Sequence, residues 1–255
     1  MPGDADELRR LSVTLRARLA LDRTRGLETT RRAKPERGER VTGSSPPRPA
    51  AVAATVVSAG AVPLAGRRAA LASASETVAS CRRCRLCDSR TRTVYGVGNA
   101  EARLCFVGEG PGFEEDKRGE PFVGRAGQLL DKMIAAMGLA RPDVYICNTV
   151  KCRPPENRTP LPDEMEACWP FLRGQLEVVR PEVIVALGRP AAMRLLGTGE
   201  AMARLRGRFH EWEGIPVMPT YHPAYLLRTP AAKRVVWEDL QRVMERLGLP
   251  GVRQG

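Results

Sequence analysis

Leu104-Cys105-Phe106-Val107-Gly108-Glu109-Gly110-Pro111-Gly112 is the stretch on which the fold turns. Four apolar residues in a row read as a strand buried on both faces, and the run stops at Gly108. Three glycines and a proline then follow within five positions, which makes a stiff turn that lets a ligand approach the backbone closely. Outward from this stretch, short apolar runs alternate with helical stretches. Strands are predicted at Leu104–Val107, Val144–Ile146, Val183–Leu187 and Ile215–Met218. Helices are predicted at Ala126–Met137, Asp163–Val179, Pro190–Leu196 and Ala231–Leu247, with Pro170 as a point of interruption in the second. Strand–helix alternation at this spacing implies right-handed crossovers and a parallel sheet covered on both faces. The expected architecture is α/β: a three-layer αβα sandwich around a short, mostly parallel four-stranded sheet. In such sheets the working residues lie in loops at the carboxyl ends of the strands.

Residues 1–75 read differently. They hold no aromatic residue and no cysteine, and carry 14 Lys and Arg against 7 Asp and Glu. A basic, low-complexity tail is expected there, with a short amphipathic helix over 7–25 and disorder over Arg31–Arg68. It reads either as a solvated tail or as a nucleic-acid tether. The domain proper is expected over 76–250. The apolar run Ala50–Ala65 is short, Ala/Val-rich and broken by Gly60 and Pro63, so it reads as linker rather than membrane span.

The chain of 255 residues carries a formal net charge of +12 and a pI of about 10.0. Such an excess of Lys and Arg points to a polyanionic partner, nucleic acid before membrane. Seven cysteines, without a signal peptide at the N-terminus, suit a reduced cytoplasmic protein whose clustered cysteines are ligands rather than disulfides. Cys81 and Cys84 form a Cys-x-x-Cys, while Cys152 and Cys168 lie far downstream, so the pairs meet only if the chain folds back on itself.

Three further motifs fall at predicted strand ends or before a helix. Glu120-Pro121-Phe122-Val123-Gly124-Arg125-Ala126-Gly127 offers a phenyl ring between a proline and two glycines, either a core anchor or a platform for a planar base. Asn148-Thr149-Val150-Lys151-Cys152-Arg153-Pro154-Pro155-Glu156-Asn157-Arg158 opens with an amide that presents a donor and an acceptor on one edge. Tyr221-His222-Pro223-Ala224-Tyr225-Leu226-Leu227-Arg228 places a histidine before a rigid proline. Of the two histidines, His222 reads as functional and His210 as structural. The glycine loop lacks the Gly-Lys-Ser/Thr of a phosphate-binding loop, and Glu109 would repel phosphate.

Taken together and in this order, with Cys81-Arg82-Arg83-Cys84-Arg85-Leu86 ahead of them, the motifs resemble the uracil-DNA glycosylase superfamily, most closely its iron–sulfur family 4. The resemblance runs from about Cys81 to Leu247. It implies a DNA-repair enzyme that hydrolyses the N-glycosidic bond of deoxyuridine in single- or double-stranded DNA, acting as a monomer associated with the nucleoid and not with membrane. A non-catalytic, cluster-stabilised nucleic-acid-binding module attached to a polymerase or repair partner is the alternative.

By the same resemblance, Cys81, Cys84, Cys152 and Cys168 ligate a structural [4Fe-4S] cluster, with tetrahedral zinc as the chemical alternative and Cys87 outside the set. Phe122 stacks on the flipped uracil, Asn148 reads its pairing edge, and Glu115 crowds out a 5-methyl group. His222 stabilises the departing base. Glu109 and the Gly110 backbone flank the water or the sugar, and Asn157 supports the pocket. Leu226 fills the vacated stack, while Lys151 and Arg228 contact phosphates. Glu109 stands where the best-known branch of the superfamily has aspartate. Arg153–Pro162 is short and lacks histidine, unlike a branch that traps DNA covalently. Cys105 and Cys147 read as buried apolar residues.

Overall fold

A computed structural model describes residues 64–250. The expected helix at 7–25 and most of the basic tail lie outside this range. Among the described residues a six-stranded sheet runs in the order β1 (Gly96–Gly98), β3 (Tyr145–Asn148), β2 (Leu104–Gly108), β4 (Val183–Leu187), β6 (Ile215–Thr220), β5 (His210–Trp212). The four inner strands are parallel, in register Phe106↔Ile146, Phe106↔Val185 and Val185↔Met218. These are the four strands expected from the sequence. The count of four is corrected to six because β1 and β5 cap the two edges antiparallel. Each is only three residues long, and β1 is two glycines around Val97, so neither carries the apolar run that signals a strand.

Alternation along the inner strands builds two cores. Leu104 and Phe106 face one way, with Ile146, Val185 and Met218, against α3 (Arg125–Ala136) and α8 (Ala232–Leu247). Cys105 and Val107 face the other, with Cys147, Ile184, Ala186 and Val217, against α4 (Pro162–Val179) and α5 (Arg189–Leu196). Cys105 and Cys147 are thus core residues, as expected from the sequence. Pro170 does not break α4, which runs unbroken to an end at Arg180 in the left-handed region.

Helix α1 (Leu64–Ala79) crosses the boundary placed at residue 75 on composition. Leu71 packs against the second core, Val78 is buried, and Arg67 donates to the Val179 carbonyl at 3.2 Å. An alanine-rich helix needs few large side chains to dock, so the composition break falls inside it. Removing residues 1–63 is expected to leave the melting transition unchanged, whereas removing 1–75 should lower it by several degrees, measured by circular dichroism.

Candidate active site

The loops that leave β2, β3 and β6 converge on one cavity of about 490 Å³, within the range of small-ligand sites. Glu109, Gly110, Glu115, Phe122, Asn148, Asn157, His222 and Arg228 all line it. The short α7 (Pro223–Arg228) forms one rim, where the sequence suggests a basic loop. Pro160, Thr159 and Tyr225 line the cavity as well. No chemical signal in the sequence marks the first two. Tyr225 belongs to the His222 motif, but nothing in the motif assigns it a role.

Asn148 ends β3, and its side-chain Oδ1 is buried with no hydrogen-bond partner among the described residues. A buried acceptor left unpaired costs about 1–3 kcal/mol, so this oxygen is available to a donor that enters the cavity. Beside it lies Phe122, whose ring centroid is 5.5 Å from that of His222 at an angle of 29°. The two rings are too close to sandwich a base and form one continuous wall.

Phe122 sits at φ +53, in the left-handed region that a side chain of its bulk seldom adopts. Such a residue costs about 1–3 kcal/mol and persists only when its surroundings fix it. Glu115, on α2 (Phe113–Arg118), supplies the fixing. Its carboxylate accepts from Val123 N–H at 2.9 Å, from Gly124 N–H at 2.8 Å and from Gly112 N–H at 3.1 Å. One carboxylate thereby staples the glycine loop to the Phe122 loop while lining the cavity.

His222 caps α7: the Ala224 N–H donates to its Nδ1 at 3.1 Å. The neutral ring therefore carries its proton on Nε2. Burial, then the Arg228 charge, lowers its pKa to about 4, with Glu115 pulling weakly the other way. Thr220, two residues earlier at the end of β6, donates to Asp239 at 2.6 Å, and Arg206 donates to the same carboxylate. This buried network fixes the loop root. Glu109 is raised from its ordinary value by burial, and a hydrogen bond with Thr159 partly offsets the shift. His210 is a strand residue whose Nε2 lies 2.8 Å from the Leu205 carbonyl, consistent with a structural place.

Two expectations for DNA contacts fail on burial. Lys151 is fully buried, its Nζ donating to the Asn148 carbonyl at 2.7 Å and to Gln175, so it cannot reach a phosphate. Leu226 is 1% exposed inside the first core, because helix α7 turns it inward. Its neighbours Tyr225 and Leu227 are the exposed apolar side chains there. Asn157 lies in the left-handed region at φ +56, and its Oδ1 accepts from Arg153 Nε at 2.8 Å.

A second site gathers Cys81, Cys84, Cys87, Cys152 and Cys168 around a small space lined also by Val78, Arg90 and Phe171. Arg90 donates to Cys152 Sγ at 3.2 Å, and the Lys151 backbone N–H donates to Cys168 Sγ at 3.3 Å. The Cys87 thiol is turned instead to Asp88, donating at 3.3 Å. Burial pushes Cys152 up to about 11 and raises Cys84 and Cys168 too, so a metal group binding here displaces protons. Among the described residues no three His, Cys, Asp or Glu side chains come close enough to hold one ion together. The four-thiol donor set with N–H···S bonds suits an iron–sulfur cluster, which is wider than a single ion.

The uracil DNA glycosylase superfamily model matches residues 95–241. Similar proteins include the type-4 uracil-DNA glycosylase of Thermotoga maritima, 50% identical over 172 residues, or 66% of this chain and 90% of that one. The type-4 uracil-DNA glycosylase of Archaeoglobus fulgidus is 45% identical over 67% of this chain and 90% of its own length. That of Saccharolobus solfataricus is 43% identical over 68% and 84%.

Proposed function

The chain belongs to the uracil-DNA glycosylase superfamily, and from that premise we propose that its cavity binds a uracil flipped out of DNA and cleaves its glycosidic bond. The observation that carries this reading is the unpaired, buried Oδ1 of Asn148 beside the Phe122 and His222 rings. Uracil N3–H satisfies that acceptor. Cytosine has an acceptor and no N–H at N3, so it leaves that oxygen unpaired.

As the C1′–N1 bond breaks, its electron pair leaves with the base, and negative charge grows on O2. The Nε2–H of neutral His222 donates to that oxygen. A donor of this kind is strongest when preorganised in a site that excludes water. Glu109 holds the water that attacks C1′ and takes its proton. Glu115 keeps the wall in place and crowds the position a 5-methyl group would need. Arg228, at the exposed rim, contacts a phosphate, and Asn157 supports the cavity edge. Incubation with a uracil-containing oligonucleotide, then alkali, should break the strand at the uracil. An unbroken strand refutes the activity.

The pH profile follows from two shifts of opposite sign. Glu109 works as the carboxylate, and its raised pKa moves the acid limb of kcat/KM upward from that of an ordinary glutamate. Glu109→Gln should slow the reaction and flatten that limb. His222, lowered to about 4, adds no titration near neutrality. Its neutral ring stabilises the fold fully above its ordinary value of about 6.5, and that contribution is lost as pH falls toward 4. Acid unfolding of a His222→Gln variant should be correspondingly shallower.

Cys81, Cys84, Cys152 and Cys168 would hold a [4Fe-4S] cluster, which supplies a structural cross-link between the two halves of the chain. Anaerobically purified protein should carry about four irons per chain. Cys152→Ala should lose the iron and Cys87→Ala should keep it, by metal analysis. One zinc in place of iron would overturn the assignment.

A further inference from the structure

We propose that Lys151 is a positioning residue for base reading: its buried ammonium holds the Asn148 peptide in place and ties the uracil-reading side chain to the cysteine site. A fully buried ammonium is costly unless hydrogen-bonded acceptors receive it. Here no carboxylate among the described residues pairs with it. Its partners are the Asn148 carbonyl, Gln175 Oε1 and the face of the Tyr95 ring, 5.7 Å from the ring centroid. A methionine would fill the same space without the desolvation cost, so packing alone does not account for a lysine here.

The connections run both ways from Lys151. Its backbone N–H donates to Cys168 Sγ, and Cys152 is the next residue. Gln175 stands two turns beyond Cys168 on α4 and donates to the Tyr95 carbonyl and the Tyr145 hydroxyl, both at 2.9 Å. On the other side Thr149 N–H donates to the Gly108 carbonyl at 2.9 Å, and Val150 N–H to the Glu109 carbonyl at 3.3 Å. Residues 148–152 therefore form a strap laced to the water-holding loop at one edge and to the thiols at the other. Lys151 is the one side chain that crosses back along this strap to its first residue. The inference rests on Asn148 being the uracil reader.

The test uses the full chain and duplexes carrying non-cleavable 2′-fluoro-deoxyuridine or 2′-fluoro-deoxycytidine opposite guanine. Lys151→Met should keep its iron and its melting transition, while its binding preference for uracil over cytosine falls about tenfold, as when a pocket's polar group is misplaced. The salt dependence of binding should not change, since no phosphate contact is lost. An unchanged preference overturns the proposal, and a shallower salt slope with unchanged preference restores a phosphate role instead. If Lys151→Met fails to fold, Lys151→Gln, which keeps a shorter donor, takes its place: a reduced preference supports the positioning role and an unchanged one overturns it. Asn148→Ala runs alongside. If it keeps the preference, the reader assignment itself is wrong. If it loses the preference while Lys151→Met does not, only the positioning role falls.

Discussion

Replacing His222 with alanine should slow uracil release from a U:G duplex by about 10²-fold or more in a single turnover, the cost of one lost oxyanion donor. Binding of the uncleaved duplex should hardly change. The reason lies in what the donor meets at each stage. In the ground state O2 is an ordinary carbonyl oxygen, and an Nε2–H bond to it exchanges for one to water at little net gain. As the base leaves, O2 becomes anionic inside a buried pocket, and the same bond strengthens. Nδ1 is already engaged by the Ala224 amide, so the donor needs no reorientation at the moment of reaction. A variant that binds weakly but cleaves at the normal rate would show that His222 recognises rather than stabilises. Wild-type rate and binding together would move the role to the amides around Gly110.

Gly108→Ala should slow uracil release by about 10²-fold or more, without unfolding the protein. Gly108 closes β2 next to Asn148 and Phe122, two residues that line the cavity. A Cβ built there would lie 2.4 Å from Asn148 Oδ1 and 2.6 Å from Phe122 Cζ. Both atoms belong to the proposed base-binding wall, and each would have to move. A displacement of about 1 Å in a positioning group costs on the order of 10²-fold in rate. The backbone of Gly108 is ordinary extended strand, paired with Asn148 in the parallel ladder, so alanine adds no conformational strain. The expected signature is a normal melting curve, normal affinity for undamaged DNA, and a strand break after alkali that appears about 10²-fold more slowly. Retained activity would mean that the ring and the amide have room to retreat, and that the wall is less fixed than its contacts imply.

The parallel core is legible in the sequence because each inner strand is a run of apolar residues stopped by a glycine or a polar turn. The edges are not, since strands such as Gly96–Gly98 are defined by whom they pair with. The site is legible as motifs, because glycine loops at strand ends state their position in the chain itself. What the motifs withhold is direction. Leu226 and Leu227 are the same residue type, and only the turn of α7 sends the first inward and the second to the surface. The resemblance implies a phosphate contact for Lys151, and nothing adjacent in sequence announces Gln175 and Tyr95 as its partners. Glu115 reads as a specificity residue, whereas its three amide bonds also make it the clasp on a strained Phe122. That clasp joins positions 112, 115, 123 and 124, a relation visible only once φ at Phe122 is known.

The cysteine box also sets a clock. Its first two thiols, Cys81 and Cys84, are synthesised well before Cys168, which lies in α4 beyond β2 and β3. The early pair must wait, reduced and exposed, while most of the sheet's first half is made at about 5–20 residues per second. Only when α4 forms can the box close. Oxidation of the early pair in that interval would keep the box from closing before the cavity itself has formed.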